Sequence, residues 1–155
     1  MMFPKKKWLK GDAKAKNEVK ASMSEDKLWK NFSLFIRLRD CPTDARGYAR
    51  CITCGSVHHY KELQAGHYIR RRHRAVKYDE RNVHAQCVDC NKYGNGKEAE
   101  HRAAIVEKYG EEVAVWLEEH KRDITKWSHA EVEALSTYYR VKAKEEAERI
   151  SIKIK

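Results

Sequence analysis

Apolar residues recur at helical spacing in the first third of the chain, where Leu28, Phe32, Phe35 and Ile36 form a single stripe. Ser24 offers a cap just before them, so an amphipathic helix is predicted from Ser24 to about Arg39. Pro42 and Gly47 then break the chain, and short β-prone pieces follow at residues 63–69 and 83–86. Helical spacing returns over residues 97–109 and 111–121, interrupted at Gly110. Ser128 and Glu131 make a capping-box signature that opens a last helix running to about Arg149. The order predicts an α+β, mainly helical protein, with a small loop-rich centre between N- and C-terminal helices and no internal repeat. In the last helix Glu145, Glu146 and Glu148 alternate with Lys142, Lys144 and Arg149, as expected of an exposed helix with weak ion pairs or of a self-association surface.

Composition narrows the setting. Of the 155 residues 41% are hydrophobic and 36% charged, which suits a compact centre with solvated helices better than a large enclosed core. Lys and Arg total 33 against 23 Asp and Glu, a formal net charge of +10, so nucleic acid is the first partner to consider. Residues 1–22 are rich in lysine and poor in apolar side chains, and are expected to form a flexible basic arm touching phosphates without sequence preference. Residues 23–128 are read as the functional domain with its flanking helices, and residues 129–155 as a C-terminal helix and tail. No stretch has the apolar length of a membrane span, and the first seven residues lack the apolar core of a signal peptide. A cytoplasmic protein with no membrane partner is therefore expected.

In a reducing compartment five cysteines are poor material for a disulfide framework. Four of them form two Cys-x-x-Cys pairs, Cys51 with Cys54 and Cys87 with Cys90, separated by residues 55–86. Two such knuckles can close a tetrahedral thiolate site around Zn²⁺, and four sulfurs leave no open coordination position, so the ion is predicted to be structural. Cys41 lies outside both knuckles and is read as a small buried residue.

Between and within the knuckles stand His67, Asn82 and Asn91. Phosphodiester cleavage needs a base to activate water, a divalent cation to stabilise charge growing on the phosphate, and groups that hold both. His67 suits the first role because its ordinary pKa lies near neutrality. The amide oxygen of Asn91 suits Mg²⁺ or Mn²⁺, Asn82 would pin the loop that carries His67, and a hairpin followed by a helix can bring His67 and Asn91 together. Arg70, Arg71, Arg72 and Arg74 follow the proposed base directly and are candidate phosphate ligands.

These residues resemble a known family. Cys51-Ile52-Thr53-Cys54-Gly55, Ala65-Gly66-His67-Tyr68-Ile69, Asp79-Glu80-Arg81-Asn82-Val83-His84 and Cys90-Asn91 are similar to motifs of the HNH, or ββα-metal, nucleases, and among them of the NinG (Rap) recombination proteins of lambdoid phages. The likeness extends to Phe35-Ile36-Arg37-Leu38-Arg39-Asp40 and to Glu107-Lys108-Tyr109-Gly110. It implies a ββα-metal core stapled by zinc, with His67 as general base, Asn82 orienting its loop and Asn91 holding the catalytic metal. It also implies an endonuclease for branched recombination intermediates, Holliday junctions and D-loops, working with phage or host recombination proteins in the bacterial cytoplasm. Many HNH enzymes carry Asp or His just before the base as a second metal ligand, where this chain has Gly66, as does a neighbouring branch of the superfamily whose site resembles a single Asn ligand plus waters; no second ligand is assigned, and Gln64, His73 and His84 stay open as candidates. Two incisions at one junction make a homodimer with paired sites chemically sensible.

Three other readings compete. A free-standing HNH enzyme of the homing or packaging-associated kind would cut intact duplex at defined sequences. A zinc-ribbon DNA-binding module would bind without cleaving. A structural adaptor would use its last helix to dock a partner.

Overall fold

The computed structural model describes residues 11–154, with side chains from Ser24 onward. The first ten residues of the expected basic arm lie outside the described residues, and from Gly11 the backbone is already helical. Helix α1 spans Gly11–Arg39, so it starts well before Ser24. The reason is local: from Asp12 to Arg39 there is neither proline nor glycine, and alanine, lysine and glutamate recur among the first residues. Ser24 is not a cap. Its buried hydroxyl donates to Glu133 Oε1 at 2.7 Å, an interhelix contact.

Two three-residue strands, β1 (Tyr48–Arg50) and β2 (Val57–His59), form an antiparallel hairpin. Cys51 and Cys54 sit in its turn, where Gly55 takes φ +73° and donates its amide to the Cys51 carbonyl. The strands were too short to show alternation in the sequence. A second antiparallel pair joins β3 (Gln64–His67) to β4 (Val83–Gln86), with Gln64 opposite Gln86 and His67 opposite Val83. Every residue of β4 is buried. The first hairpin locks onto it through the Ile52 amide, which donates to the Ala85 carbonyl at 3.0 Å.

After β4 the helix expected to follow the hairpin and carry Asn91 is a single π-helical turn, Asp89–Tyr93. Helices α2 (Glu98–Tyr109) and α3 (Glu111–His120) follow, broken at Gly110 with φ +95° as predicted. They bury Ile105, Ala114 and Leu117 against Tyr68, Ile69 and Val76, and so cover the segment that leaves β3.

The last helix, α4 (His129–Arg149), begins with the predicted capping box, in which Ser128 and Glu131 exchange hydrogen bonds. It does not stand free. Val132, Ser136, Tyr139, Ala143 and Ala147 are buried along α1, and the two helices run parallel: Ser24 meets Glu133, Asn31 meets Ser136, and Arg149 meets Leu38. The buried face sets one valine, one serine and two alanines around a single tyrosine, so charge alternation dominated its sequence and hid it. Arg149 donates to the carbonyls of Leu38, Arg39 and Cys41, which satisfies the open C-terminal end of α1 and sets a cation against its dipole. Phe32 meets Tyr139 edge-on at 4.7 Å and Tyr78 at 5.3 Å, which ties both helices to the central loops. Among the described residues no helix is long and apolar enough to cross a membrane.

Candidate functional site

Beside the first hairpin, the sulfurs of Cys51, Cys54, Cys87 and Cys90 all lie within 4.8 Å of one another. A Zn–S bond of about 2.3 Å places tetrahedral sulfurs about 3.8 Å apart, and Cys54 and Cys87 are separated by 3.8 Å. Burial alone would raise the Cys51 thiol, but the Thr53 hydroxyl and the amides of Cys87, Cys54 and Thr53 outweigh it and bring the group down to about 6. A donor set of four thiols, one already held near its thiolate form, fits a soft or borderline metal such as zinc. Cys41 is elsewhere: it is 1% exposed, its thiol reaches the Arg37 carbonyl at 3.2 Å, and burial pushes it up to about 11.

His67 closes β3. Its Nε2 lies 2.9 Å from the Lys77 carbonyl, so this nitrogen carries the proton and Nδ1 keeps its lone pair. The ring stacks on Trp29 of α1 at 5.4 Å and 26°. Burial, with a smaller push from the charges of Arg71 and Lys77, holds His67 down at about 4 against the contrary pull of the Lys77 carbonyl. The imidazole is therefore neutral at physiological pH.

Asn82 is fully buried behind it. Its Oδ1 accepts from the Ile69 amide at 2.7 Å, and its Nδ2 donates to the Ile69 and Val76 carbonyls. The Tyr68 amide donates to the Asn82 carbonyl. One side chain thus spans the loop between Ile69 and Val76 that follows His67 and contains all four candidate arginines.

Asn91, on the π turn, faces the same cleft as His67. Its Nδ2 donates to Gln64 Oε1 at 2.7 Å, which leaves Oδ1 as a neutral oxygen donor. The cleft, of about 470 Å³, also takes in Trp29, Ser33 and Arg37 from α1, together with Arg70, Arg71 and Asn95. No carboxylate lines it among the described residues, and its formal charges are all arginines.

The structure brings together His67, Asn91, Gln64, Arg70 and Arg71, with Asn82 as their backing. It does not gather the rest. Arg72 points to His73, and Arg74 pairs with Glu25 at 3.4 Å along a neighbouring cleft that shares Trp29 and Arg71 with this one. His73 rests against the Lys121 carbonyl, and fully buried His84 is held between His101 and Tyr109, so neither lines the cleft. Gly66 cannot be replaced by a ligand at no cost, because a Cβ there would stand 2.9 Å from Gln86 Cβ and still closer to its amide oxygen. Reading of the sequence missed the contribution of α1. The signal was present as Trp29, Ser33 and Arg37, spaced by four residues on one helical face.

Comparison with known proteins bears on the whole chain. The family model described as bacteriophage lambda NinG protein matches residues 5–149. Protein ninG of Salmonella phage P22 is 33% identical over 113 residues, 72% of this chain and 51% of that protein. The ninG proteins of Escherichia phage 933W and Escherichia phage lambda are 32% and 31% identical over 113 residues, covering 52% and 51% of their own lengths. The chain spans about half the length of the curated relatives it matches. No solved structure matches it.

Proposed function

Since this chain belongs to the NinG family of lambdoid phages, we propose that it is a metal-dependent DNA endonuclease of the HNH, or ββα-metal, class that cuts branched recombination intermediates such as Holliday junctions and D-loops. The observation that carries this reading is a neutral histidine with a fixed tautomer in a cleft whose formal charges are all arginines. In this reading β3, β4 and the π turn after them are the ββα-metal core, and the four cysteines hold a structural Zn²⁺.

The chain's own residues divide the chemistry. Nδ1 of His67 takes a proton from water while Nε2 stays bound to the Lys77 carbonyl, which keeps the ring from turning. The water oxygen attacks the phosphorus, the P–O bond to the leaving sugar oxygen breaks and that oxygen takes its proton from solvent, while Arg70 and Arg71 bind the charge that accumulates on the phosphate oxygens. Asn82 holds the arginine-bearing loop against the base. The amide oxygen of Asn91 would hold Mg²⁺ or Mn²⁺, which when bound neutralises charge at the phosphate. Cytoplasmic action in the infected cell, a dimer with paired sites and contacts with recombination proteins are parts of the same proposal.

The test uses the purified wild-type chain and His67→Ala on labelled four-way junction, D-loop and linear duplex, with Mg²⁺, Mn²⁺ or no divalent ion. Zinc content and circular dichroism confirm that both proteins are folded. Cleavage of branched DNA that requires the metal and disappears in the variant while binding persists is the expected result. Equal cutting of linear duplex would remove the selectivity for branches, and binding without cleavage under every metal would leave a zinc-stapled DNA-binding module.

A further inference from the structure

Three cationic side chains line the His67 cleft, and one of them lies outside the zinc-stapled centre. Resting on the nuclease reading above, we propose that Arg37 of α1 is a phosphate-binding residue of that cleft, where it gives the DNA backbone a contact that the basic run after His67 does not supply.

The charged segment at the end of α1 divides cleanly. Arg39 pairs with Asp40 at 2.8 Å and donates to the carbonyls of Glu80 and Val83, while Asp40 accepts from the Ala85 amide. Those two residues are committed to holding β4. Arg37, one helical turn after Ser33, turns toward the cleft instead. It is half-buried, and among the described residues it forms no ion pair: its Nε donates to the Ser33 carbonyl and one Nη1 hydrogen to the Tyr60 carbonyl.

A guanidinium has five N–H donors in a rigid fork, so the remaining groups, all of Nη2 included, are left for something else. Even a partly buried cation without a counter-charge carries a desolvation cost, and that cost is relieved when an anion enters. Burial lowers Arg37 from its ordinary value, as an uncompensated charge requires. The cleft wall can offer it no anion, because no carboxylate is there. The two carbonyl bonds fix the plane of the fork before any ligand arrives, and Ser33 and Trp29, one and two turns earlier, give the same helical face to the cleft. A phosphodiester oxygen pair has the charge and the planar acceptor geometry this fork matches.

The experiment measures binding, so it is independent of cleavage. Fluorescence anisotropy of a labelled synthetic four-way junction, without added divalent ion, is followed from 50 to 250 mM salt for the full chain and for Arg37→Gln. Loss of one phosphate contact is expected to weaken binding roughly tenfold and to reduce the slope of log K against log salt by about 0.9. An unchanged slope in a folded Arg37→Gln protein would reduce Arg37 to a structural tie between α1 and Tyr60. If the variant fails to fold, modification of wild-type arginines by butanedione, read by mass spectrometry, decides the matter: the junction should protect Arg37, and equal modification with and without DNA overturns the proposal. A wild type that binds the junction but never cuts it refutes the nuclease reading alone. A wild type that binds no DNA refutes both.

Discussion

The indole of Trp29 and the imidazole of His67 are stacked 5.4 Å apart at 26°, and the Arg71 guanidinium lies over the same indole at 5.2 Å. A helix far from the zinc knuckles in sequence therefore sets the plane of the candidate base. Together with the Lys77 carbonyl bond it leaves the ring no freedom to rotate, which is the preorganisation a base needs.

Trp29→Leu should reduce kcat on the preferred DNA by roughly 10- to 100-fold with little change in binding. Because the indole also excludes water from His67, the same variant should let the histidine rise from about 4 toward 6.5, followed by NMR titration of the ring. A loss of activity with the His67 titration unmoved would show that Trp29 acts on something else.

The backbone at Gly66 leaves no room for a side chain that could serve as a second metal ligand beside the candidate base. The Gln86 side chain occupies the space a Cβ would fill, and it is held there by bonds from its Nε2 to the Gly96 carbonyl and to Thr53 Oγ1. Gly66→Asp is therefore expected to destabilise the fold by about 1–3 kcal/mol, as overpacking does, rather than to supply a metal ligand. In a Gln86→Ala background Gly66→Ala should cost clearly less than in the wild type, as measured by urea midpoints. Equal costs in the two backgrounds would mean that some other neighbour forbids the side chain.

Much of this site was legible before any coordinates. The clustering of the two cysteine pairs, the β4 strand, the break at Gly110 and the capping box at Ser128 are local signals with local causes, and each lies where it was expected. The convergence of His67 with Asn91 followed from their placement around a strand pair. What stayed hidden depends on packing between distant segments. The α1 face of Trp29, Ser33 and Arg37 reads as an ordinary solvated flank of an amphipathic helix until the centre of the chain folds against it. The α4 face is too rich in small residues to stand out from its charges. The arginine run could not reveal that Arg74 would turn away to Glu25 while Arg70 and Arg71 stayed.

Zinc should be required for the fold and not only for activity. One ion per chain is expected, with Cys87→Ser or a strong chelator removing it and collapsing the β1–β2 and β3–β4 pairs, since Cys87 directly follows β4 and Ile52 is bonded to Ala85. The binding free energy lost is on the order of 10 kcal/mol, comparable to the whole stability of a small domain. Circular dichroism and elemental analysis across a chelator titration check this; a chain that keeps its helices and its thermal transition with no bound metal would show the knuckles to be incidental.

Acid should destabilise the protein earlier than its carboxylates alone would require. His84 and His101 are fully buried with ring nitrogens 3.3 Å apart, and burial holds them at about 3 and about 4. In the unfolded chain both return to about 6.5, so below that pH the unfolded state takes up protons that the native state refuses. The stabilisation is complete above 6.5 and is lost progressively as pH falls toward about 4 for His101 and about 3 for His84, by on the order of 3 to 5 kcal/mol for each ring at full effect. Metal binding by thiolates also weakens in acid, so the measurement is a comparison: urea midpoints at pH 7.5, 5.5 and 4.5 for the wild type and for His101→Gln. Removing one titrating ring should make the pH dependence shallower even though the variant starts less stable. Parallel curves would mean that the buried pair takes no part, and that the acid sensitivity belongs to His67 or to the sulfurs.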